Sequence, residues 1–243
     1  MEKSWIVGFV DGDGHFGFSK DYKRFYFVVS QDKRSVSVLY ELKNFFKCGS
    51  VNKAGANMRE YRVSSKKHLI EIILPFFSKN ILQTSKRHSF EKFAKLLNYS
   101  VNSSVNSIES NQFNINIDLY WLIGFIDAEG SFVCSIINKT IRPQFIIGLN
   151  HIDKNILDKI KNYLTYGIRY TRKNSIEVFQ ISSNKNMYNF SKEIILTKGF
   201  KDRLKTYKRI RARKWCKIVF IMQQKQHKNV EGFKKIKKLY EKF

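Results

Sequence analysis

The chain has 243 residues, of which 43% are hydrophobic, enough for one large domain or two fused domains and too many for a disordered tail. Its 45 Lys and Arg residues against 20 Asp and Glu give a net charge of +25. A surplus of this size points to a nucleic-acid partner and not to a membrane surface, because the basic residues are spread along the whole chain. Three scattered cysteines argue against a disulfide framework or a zinc site, and no apolar run reaches the roughly 18 residues of a membrane span.

The first predicted helix covers residues 4–13 and contains most of the phrase WIVGFVDGDG. Ser4 is placed to cap its N-terminus and Gly14 to end it. Gly8 and Gly12 lie four residues apart, hence on one face of the helix. A face without side chains allows the backbone of a second helix to approach closely.

The stretch after this helix alternates apolar and polar residues, which predicts a β-hairpin over residues 15–32 with Phe16 and Phe27 on one face. A helical stretch, VLYELKNFFK, comes next. A second hairpin ending at residues 61–66 and a helix around residues 67–77 complete the unit.

The same order of elements returns in the second half, beginning with the phrase WLIGFIDAEG. A period of more than about 100 residues indicates a duplicated domain. We therefore predict an α+β fold of two pseudo-symmetric αββαββα repeats, packed through their paired first helices. The repeats are residues 1–97 and 118–243, the second with a basic helical tail, and a Ser- and Asn-rich linker, residues 98–117, joins them.

The two repeated phrases end in carboxylates, Asp13 and Glu129. Packing of the two helices would bring these acids side by side, which is unfavourable unless a cation accompanies them. Carboxylate and backbone oxygens suit Mg²⁺, and such a site in a basic protein is suited to metal-assisted phosphodiester hydrolysis. The alternative is that each acid merely caps a turn.

The phrases IVGFVDGDG and LIGFIDAEG, together with the order of elements, resemble the LAGLIDADG homing endonucleases of the single-chain, two-motif type, over residues 4 to about 220. The resemblance implies antiparallel sheets that form a saddle on the DNA major groove and a staggered double-strand cut in a long DNA target. It also implies divalent metals, Mg²⁺ with Mn²⁺ or Ca²⁺ able to replace it. The implied metal-binding residues are Asp13, Glu129, Gly12 and Ala128, the last two through their carbonyls, while Asp11 and Asp127 are implied to be structural.

Further catalytic residues follow from the same resemblance. The family places an amide at the end of the second strand, where this chain has Gln31 and Asn150, although an amide that caps a turn is an equal alternative. A basic residue precedes each last helix. In the first half this is Lys86; in the second, an alignment without gaps gives Phe200, and one inserted residue gives Lys201.

Strand alternation predicts that the face opposite the phenylalanines contacts base edges, while loop residues contact phosphates. A one-residue slip at a bulge would exchange the two faces. The residues expected to bind DNA are Ser19, Lys23, Arg24, Tyr26, Arg59, Arg62, Ser64, Lys139, Arg142, Gln144, Arg169, Arg172 and Gln180.

The sequence thus predicts a monomeric, site-specific DNA endonuclease that binds double-stranded DNA. Residues with A/T-rich codons are abundant and no targeting signal is seen, so we expect a protein made inside a mitochondrion or another organelle. The resemblance implies that an intron encodes it. One alternative is an RNA maturase on the same fold that binds its own intron RNA, alone or in addition to cleavage. The other is a DNA-binding protein without catalysis.

Overall fold

The computed structural model describes residues 1–19, 21, 24–97, 117–172, 175–196 and 204–241. These form two compact units, residues 1–128 and 129–243, each built on its own sheet. Lys23, Lys201 and all but the last residue of the predicted linker lie outside the described residues.

The first unit contains a four-stranded antiparallel sheet in the order β1-β2-β4-β3. The elements of this unit are α1 Lys3–Asp13, β1 Gly14–Ser19, β2 Arg24–Asp32, α2 Val36–Phe46, β3 Ser50–Lys53, β4 Met58–Val63, α3 Lys66–His68, α4 Leu74–Lys79, α5 Lys86–Leu96 and α6 Leu119–Glu129, of which Glu129 falls in the second unit. A π-helical turn, Leu69–Ile73, joins α3 to α4.

The second unit repeats this arrangement with a sheet in the order β5-β6-β8-β7. The elements of this unit are β5 Ser131–Ile137, β6 Thr140–Asn150, α7 Lys154–Leu164, β7 Ile168–Arg172, β8 Ile176–Ile181, α8 Asn184–Phe190, α9 Lys208–Gln223 and α10 Val230–Tyr240. A second π-helical turn, Ser191–Ile195, follows α8. Two antiparallel sheets with the same strand order and accompanying helices confirm the predicted α+β class.

The start of α1 differs from the prediction. The helix begins at Lys3, after Glu2, and Ser4 lies inside it, where its hydroxyl donates to the Asp118 carboxylate at 2.5 Å. Ser4 is therefore not the cap. Gly14 does end the helix and enters β1 with an extended backbone; a Cβ there would lie 2.4 Å from Cγ1 of Val10, so space and not conformation requires glycine.

Within the first unit, α1 and α6 pack backbone against backbone. A Cβ built at Gly8 would lie 2.0 Å from the Trp121 carbonyl oxygen, and one at Gly124 would lie 2.1 Å from that of Trp5. The predicted close pairing of the two phrase helices is confirmed at these two glycines. This pairing places α6, which belongs to the second sequence repeat, in the first compact unit, so the repeat boundaries stay a prediction.

Each sheet buries one face under helices. In the first unit the rings of Phe16 and Phe27 stack with centroids 5.0 Å apart beneath α4 and α5. In the second, Phe132 and Phe145 are 5.2 Å apart, and Trp215 of α9 lies 5.5 Å from Phe132. All five are buried, the four phenylalanines as the strand alternation predicted.

None of the helices in the described ranges combines the length and the apolar character needed to cross a membrane.

Candidate active site

In the first unit, three elements bring polar groups together at the end of α1. Gln31, near the end of β2, donates its side-chain amide to the carboxylate of Asp13 at 2.5 Å. Lys86, the first residue of α5, donates its ammonium group to the carbonyl of Gly12 and, at 3.4 Å, to that of Val10. The structure therefore gathers four of the residues predicted for catalysis and metal binding into one cluster. We call Gly12, Asp13, Gln31 and Lys86 the Asp13 cluster.

The buried Asp11 fixes the segment that carries Lys86. Its carboxylate accepts the backbone N–H groups of Gln83 at 3.0 Å and Thr84 at 2.9 Å, the Thr84 hydroxyl at 2.7 Å, and the indole N–H of Trp121 at 2.8 Å. Desolvation raises the pKa of Asp11, and these hydrogen bonds oppose that rise. Asp11 thus anchors the loop before α5 to α1 and ties both to α6, which is the structural role expected for it.

Lys208 occupies in the second unit the position that Lys86 occupies in the first. Each is the first residue of its helix. The N–H of Lys86 lies 3.4 Å from the hydroxyl of Thr84, and that of Lys208 lies 3.2 Å from the hydroxyl of Thr206, both threonines being buried. The sequence prediction missed Lys208. The signal was the repeated pattern L-x-T-x-K-R at residues 82–87 and 204–209.

Asn150 corresponds to Asp32 and not to Gln31. Asn150 ends β6 and accepts the N–H of Ile152 at 3.1 Å, just as Asp32 ends β2 and accepts the N–H of Arg34 at 2.8 Å. The turn-capping alternative therefore describes Asn150, and pairing it with Gln31 was wrong by one residue.

The strand register identifies the true counterpart of Gln31. Gln31 pairs with Arg59 on β4, four positions from the Phe27–Val63 pair. Leu149 pairs with Glu177 on β8, four positions from the equivalent Phe145–Ile181 pair. Leu149 therefore stands where the first unit has Gln31.

The exposed face of the first sheet carries a connected polar group. Ser19, Arg24, Tyr26 and Arg62 share this face by register, and Ser64 follows β4 in an exposed position. The Arg62 guanidinium lies 4.5 Å over the Tyr26 ring and is held by Glu60 at 2.6 Å.

His15 joins the same face and was missed, although the His15-Gly17-Ser19 alternation places it there. Its ring centroid lies 5.8 Å from that of Tyr26. Desolvation, followed by the charges of Lys86 and Arg62, lowers the pKa of His15, which favours the neutral imidazole.

Arg59 lies within β4. It donates to the carbonyl of Met58 at 2.8 Å and to that of Gly55 at 3.3 Å, so its guanidinium closes the β3–β4 turn.

The exposed face of the second sheet carries Arg142, Gln144, Arg172 and Gln180, and Lys139 lies in the tight β5–β6 turn with a φ of 63°. Tyr170 belongs to this face and was not predicted. Its hydroxyl donates to Gln180 at 2.8 Å and accepts from Arg172 at 3.3 Å.

Arg169 lies on the opposite, helix-covered face, in register with Phe179. Its guanidinium pairs with Asp158 of α7 and with Glu177 at 3.0 Å, so the expectation that Arg169 contacts DNA disagrees with its position. Glu177 is buried, and the hydrogen bonds from Arg169 and His151 lower the pKa of Glu177 to about 2.

The acids that end the two phrase helices offer oxygen ligands for a metal. Among the described residues, no group of three or more His, Cys, Asp or Glu side chains is placed to hold an ion. Asp13 ends α1 in the first unit and Glu129 ends α6 at the start of the second, and each partly buried carboxylate follows a backbone carbonyl. Oxygen ligands of this kind suit a hard cation such as Mg²⁺ or Ca²⁺, which keeps part of its water shell, and do not suit zinc.

The sequence profile of the family described as LAGLIDADG endonuclease matches residues 6–97 and 122–219, and the chain belongs to this family. A curated relative, "Probable intron-encoded endonuclease 4" of Neurospora crassa, is 28% identical over 95% of this chain, which spans 42% of the length of that relative. The fold is similar to that of the homing endonuclease I-SmaMI bound to an uncleaved DNA target with calcium ions, with a TM-score of 0.79 and 25% identity over 98% of this chain and 97% of that one. It is also similar to I-GzeII in complex with its DNA target, with a TM-score of 0.81 and 26% identity over 100% and 98% of the chains.

Proposed function

We propose that this chain is a site-specific homing endonuclease that makes a staggered double-strand cut in a long DNA target. The observation that carries the proposal is the Asp13 cluster, in which a carboxylate, an amide and an ammonium group meet at the end of a phrase helix. The polar face of the adjoining sheet begins two residues later at His15. Membership of the family and the DNA complexes of its solved relatives support the proposal.

The metal of this enzyme is Mg²⁺, with Mn²⁺ or Ca²⁺ able to take its place, held by Asp13 and Glu129 and by the carbonyls of Gly12 and Ala128. Such an ion would lower the pKa of a bound water and stabilise the leaving oxygen of the phosphodiester. Support comes from the all-oxygen donor set and from the calcium ions present with I-SmaMI.

The side chains next to Asp13 contribute orientation and positive charge. Gln31 holds the Asp13 carboxylate in one orientation. Lys86 places a positive charge at the end of α1, where the scissile phosphate and the developing oxyanion would be stabilised. We assign the corresponding role in the second half to Lys208 in place of Lys201.

DNA binding uses the exposed faces of the two sheets. A guanidinium such as that of Arg62, fixed by Tyr26 and Glu60, is suited to bidentate hydrogen bonding with guanine in the major groove. The overall charge of +25 supplies the phosphate attraction that makes binding salt-dependent.

The test is cleavage of a plasmid library of randomised targets in Mg²⁺ by the wild-type chain and by Asp13→Asn, with Asp32→Asn as the matched control. Asp32 lies in the same unit and caps a turn. We expect discrete staggered cuts from the wild type and the control and none from Asp13→Asn, which should still bind the selected target. Equal loss of binding and cleavage in Asp13→Asn would show that this acid only supports the fold.

We also propose that the protein acts as a monomer and is encoded within an organellar intron, most naturally a mitochondrial one. The duplicated motif supplies both carboxylates from one chain, and relatives bear the description intron-encoded. A single-chain mass from light scattering, with and without target DNA, tests the first part.

An RNA maturase is the second candidate function, and α10 favours it. This helix lies beyond the residues matched by the family profile. Its Ile236 packs with Cys134 and Ile141 on the buried face of the second sheet, opposite the face assigned to DNA. The exposed side of α10 presents Lys234, Lys235, Lys237 and Lys238.

Replacement of Lys234, Lys237 and Lys238 by Gln tests this candidate. Loss of binding to a transcript of the chain's own intron, with DNA cleavage retained, would support the maturase. Unchanged binding to that transcript would remove it.

A further inference from the structure

Arg62 of β4 and Gln180 of β8 occupy equivalent positions in the two sheets. Each lies one residue before the position that pairs with a buried phenylalanine of the neighbouring strand, Phe27 in the first unit and Phe145 in the second. Both side chains are partly exposed on the face that the proposed nuclease would turn to DNA. The same place in the sheet therefore holds a guanidinium in one unit and an amide in the other.

Glu60 fixes the Arg62 guanidinium through one of its edges. Nε of Arg62 donates to one carboxylate oxygen at 2.6 Å and Nη2 donates to the other at 3.1 Å, while the guanidinium lies 4.5 Å over the Tyr26 ring. A guanidinium has five N–H donors, so the edge formed by Nη1 and Nη2 keeps two parallel donors. That edge matches guanine, whose O6 and N7 are both acceptors, and opposes the N6 amino group of adenine, which is a donor.

A directional chain of hydrogen bonds orients the Gln180 amide. Arg172 donates to the Tyr170 hydroxyl at 3.3 Å, and that hydroxyl donates to Oε1 of Gln180 at 2.8 Å. Because a guanidinium can only donate, the hydroxyl directs its own hydrogen to the amide, which must accept through oxygen. Gln180 then keeps both N–H donors and a second lone pair on Oε1. This set matches N7 and the N6 amino group of adenine, whereas O6 of guanine would oppose Oε1, acceptor against acceptor.

The neighbours of the two positions differ in the same sense. The residue of β8 equivalent to Glu60 is the buried Val178, so the second sheet has no carboxylate at the place where the first fixes its guanidinium. The cross-strand partner of Arg62 on β3 is Ser50, and that of Gln180 on β7 is Ile168, which is 54% exposed. An exposed isoleucine gains from contact with the C5 methyl group of thymine. The second face thus suits A·T pairs where the first suits a G·C pair.

We propose that Arg62 recognises guanine in one half-site of the target and that Gln180 recognises adenine at the equivalent position of the other, beside a thymine methyl group that contacts Ile168. This inference rests on the DNA binding of the proposed nuclease and specifies its substrate further. Glu60 and Tyr26 act as positioning residues, because they fix the guanidinium. Loss of one bidentate base contact corresponds to a loss of about 10- to 100-fold in discrimination between base pairs.

The test measures base preference with a target selected from a randomised library and changed one base pair at a time, by competition binding and by cleavage in Mg²⁺. The wild type should prefer G·C by about 10- to 100-fold at one position and A·T at another. Arg62→Gln should convert the first preference to A·T, and Gln180→Arg should shift the second towards G·C. Glu60→Gln should weaken the first preference alone, an effect that a role limited to sheet stability does not predict.

A matched control and the form of the readout keep the outcomes distinct. Arg34→Gln breaks a similar ion pair, at 2.8 Å from Asp32 on the turn after β2, and should leave every base preference unchanged. Because a preference is a ratio between targets, it does not depend on how much of a variant is folded. Base preferences that Arg62→Gln or Gln180→Arg leaves unchanged, with affinity lowered equally for all targets, would overturn the inference. A wild-type chain that binds with the expected preferences and cuts no target would support the inference and refute the nuclease.

Discussion

Gly8→Ala tests the backbone contact between the two phrase helices. The new methyl carbon would lie 2.0 Å from the carbonyl oxygen of Trp121, 2.8 Å from its carbonyl carbon and 3.0 Å from the N–H nitrogen of Phe125. All three neighbours are backbone atoms of a helix, so no side chain can rotate away. The helices must separate by about 1 Å before this carbon clears even the 3.0 Å below which such contacts are essentially absent.

The expected cost follows from two opposing effects. Overpacking of a core costs about 1–3 kcal/mol, and a contact against backbone belongs at the upper end of that range. Alanine is about 1 kcal/mol more favourable than glycine inside a helix. We therefore expect Gly8→Ala to lower the free energy of unfolding by about 2 kcal/mol. Since Asp13 ends the same helix, a displacement of about 1 Å should also slow cleavage by about 100-fold.

Urea unfolding followed by circular dichroism measures the first effect, with Gly148→Ala as the control. A Cβ at Gly148 would find its nearest atom, Cγ2 of Ile176, at an ordinary 3.7 Å, so this variant should be close to neutral. Gly124→Ala should cost as much as Gly8→Ala, and the double variant less than the sum, because one separation relieves both clashes. A Gly8→Ala protein as stable as Gly148→Ala would refute the close helix pairing.

Three further predictions concern charged residues of the two units. Asp11→Asn should destabilise the chain by about 1–3 kcal/mol in urea, because an amide nitrogen would face N–H and O–H donors that now meet a carboxylate; an unchanged midpoint would contradict the anchoring role. Glu177, with a pKa of about 2 against 4.5 when unfolded, contributes stability that is complete above pH 4.5 and lost as the pH falls towards 2; Glu177→Gln should flatten that dependence in acid titrations of the urea midpoint. Lys86→Met and Lys208→Met should each slow cleavage of the selected target in single-turnover assays with Mg²⁺; an inactive Lys86→Met beside an unaffected Lys208→Met would refute their equivalence.

Much of this fold follows from local patterns in the sequence. The period-2 alternation around Phe16 and Phe132 defines strands whose buried face the structure confirms. Gly8 and Gly124 predict a close helix pair because each leaves its helix without a side chain at the same position of the repeat, so the two backbones can approach. These features depend on residues within a few positions of one another, or on small residues whose effect is steric.

The missed features depend on register and on long-range contacts. Asn150 lies one residue beyond Leu149, the true counterpart of Gln31, and the ladder between β6 and β8 fixes that register. Arg169 looks like other exposed arginines in the sequence, but its position opposite Phe179 turns it towards Asp158 of α7. Ser4 was expected to cap α1, but its hydroxyl donates to Asp118, which lies 114 residues away in the chain.

The positions that match between the two halves and those that differ have different physical tasks. Gly8 and Gly124, like Thr84 and Thr206, sit where backbone approaches backbone or where a loop is fixed to the start of a helix, and each tolerates few alternatives. A duplicated fold needs these constraints twice.

The exposed sheet positions carry no such constraint. Tyr26 corresponds to Gln144, and Arg62 to Gln180, so the two sheets offer different donors and acceptors to whatever they bind. A single chain can thereby recognise two dissimilar half-sites, which a symmetric homodimer cannot. The same freedom explains how Leu149 can stand where the first half has Gln31, because the strand end accepts either side chain sterically.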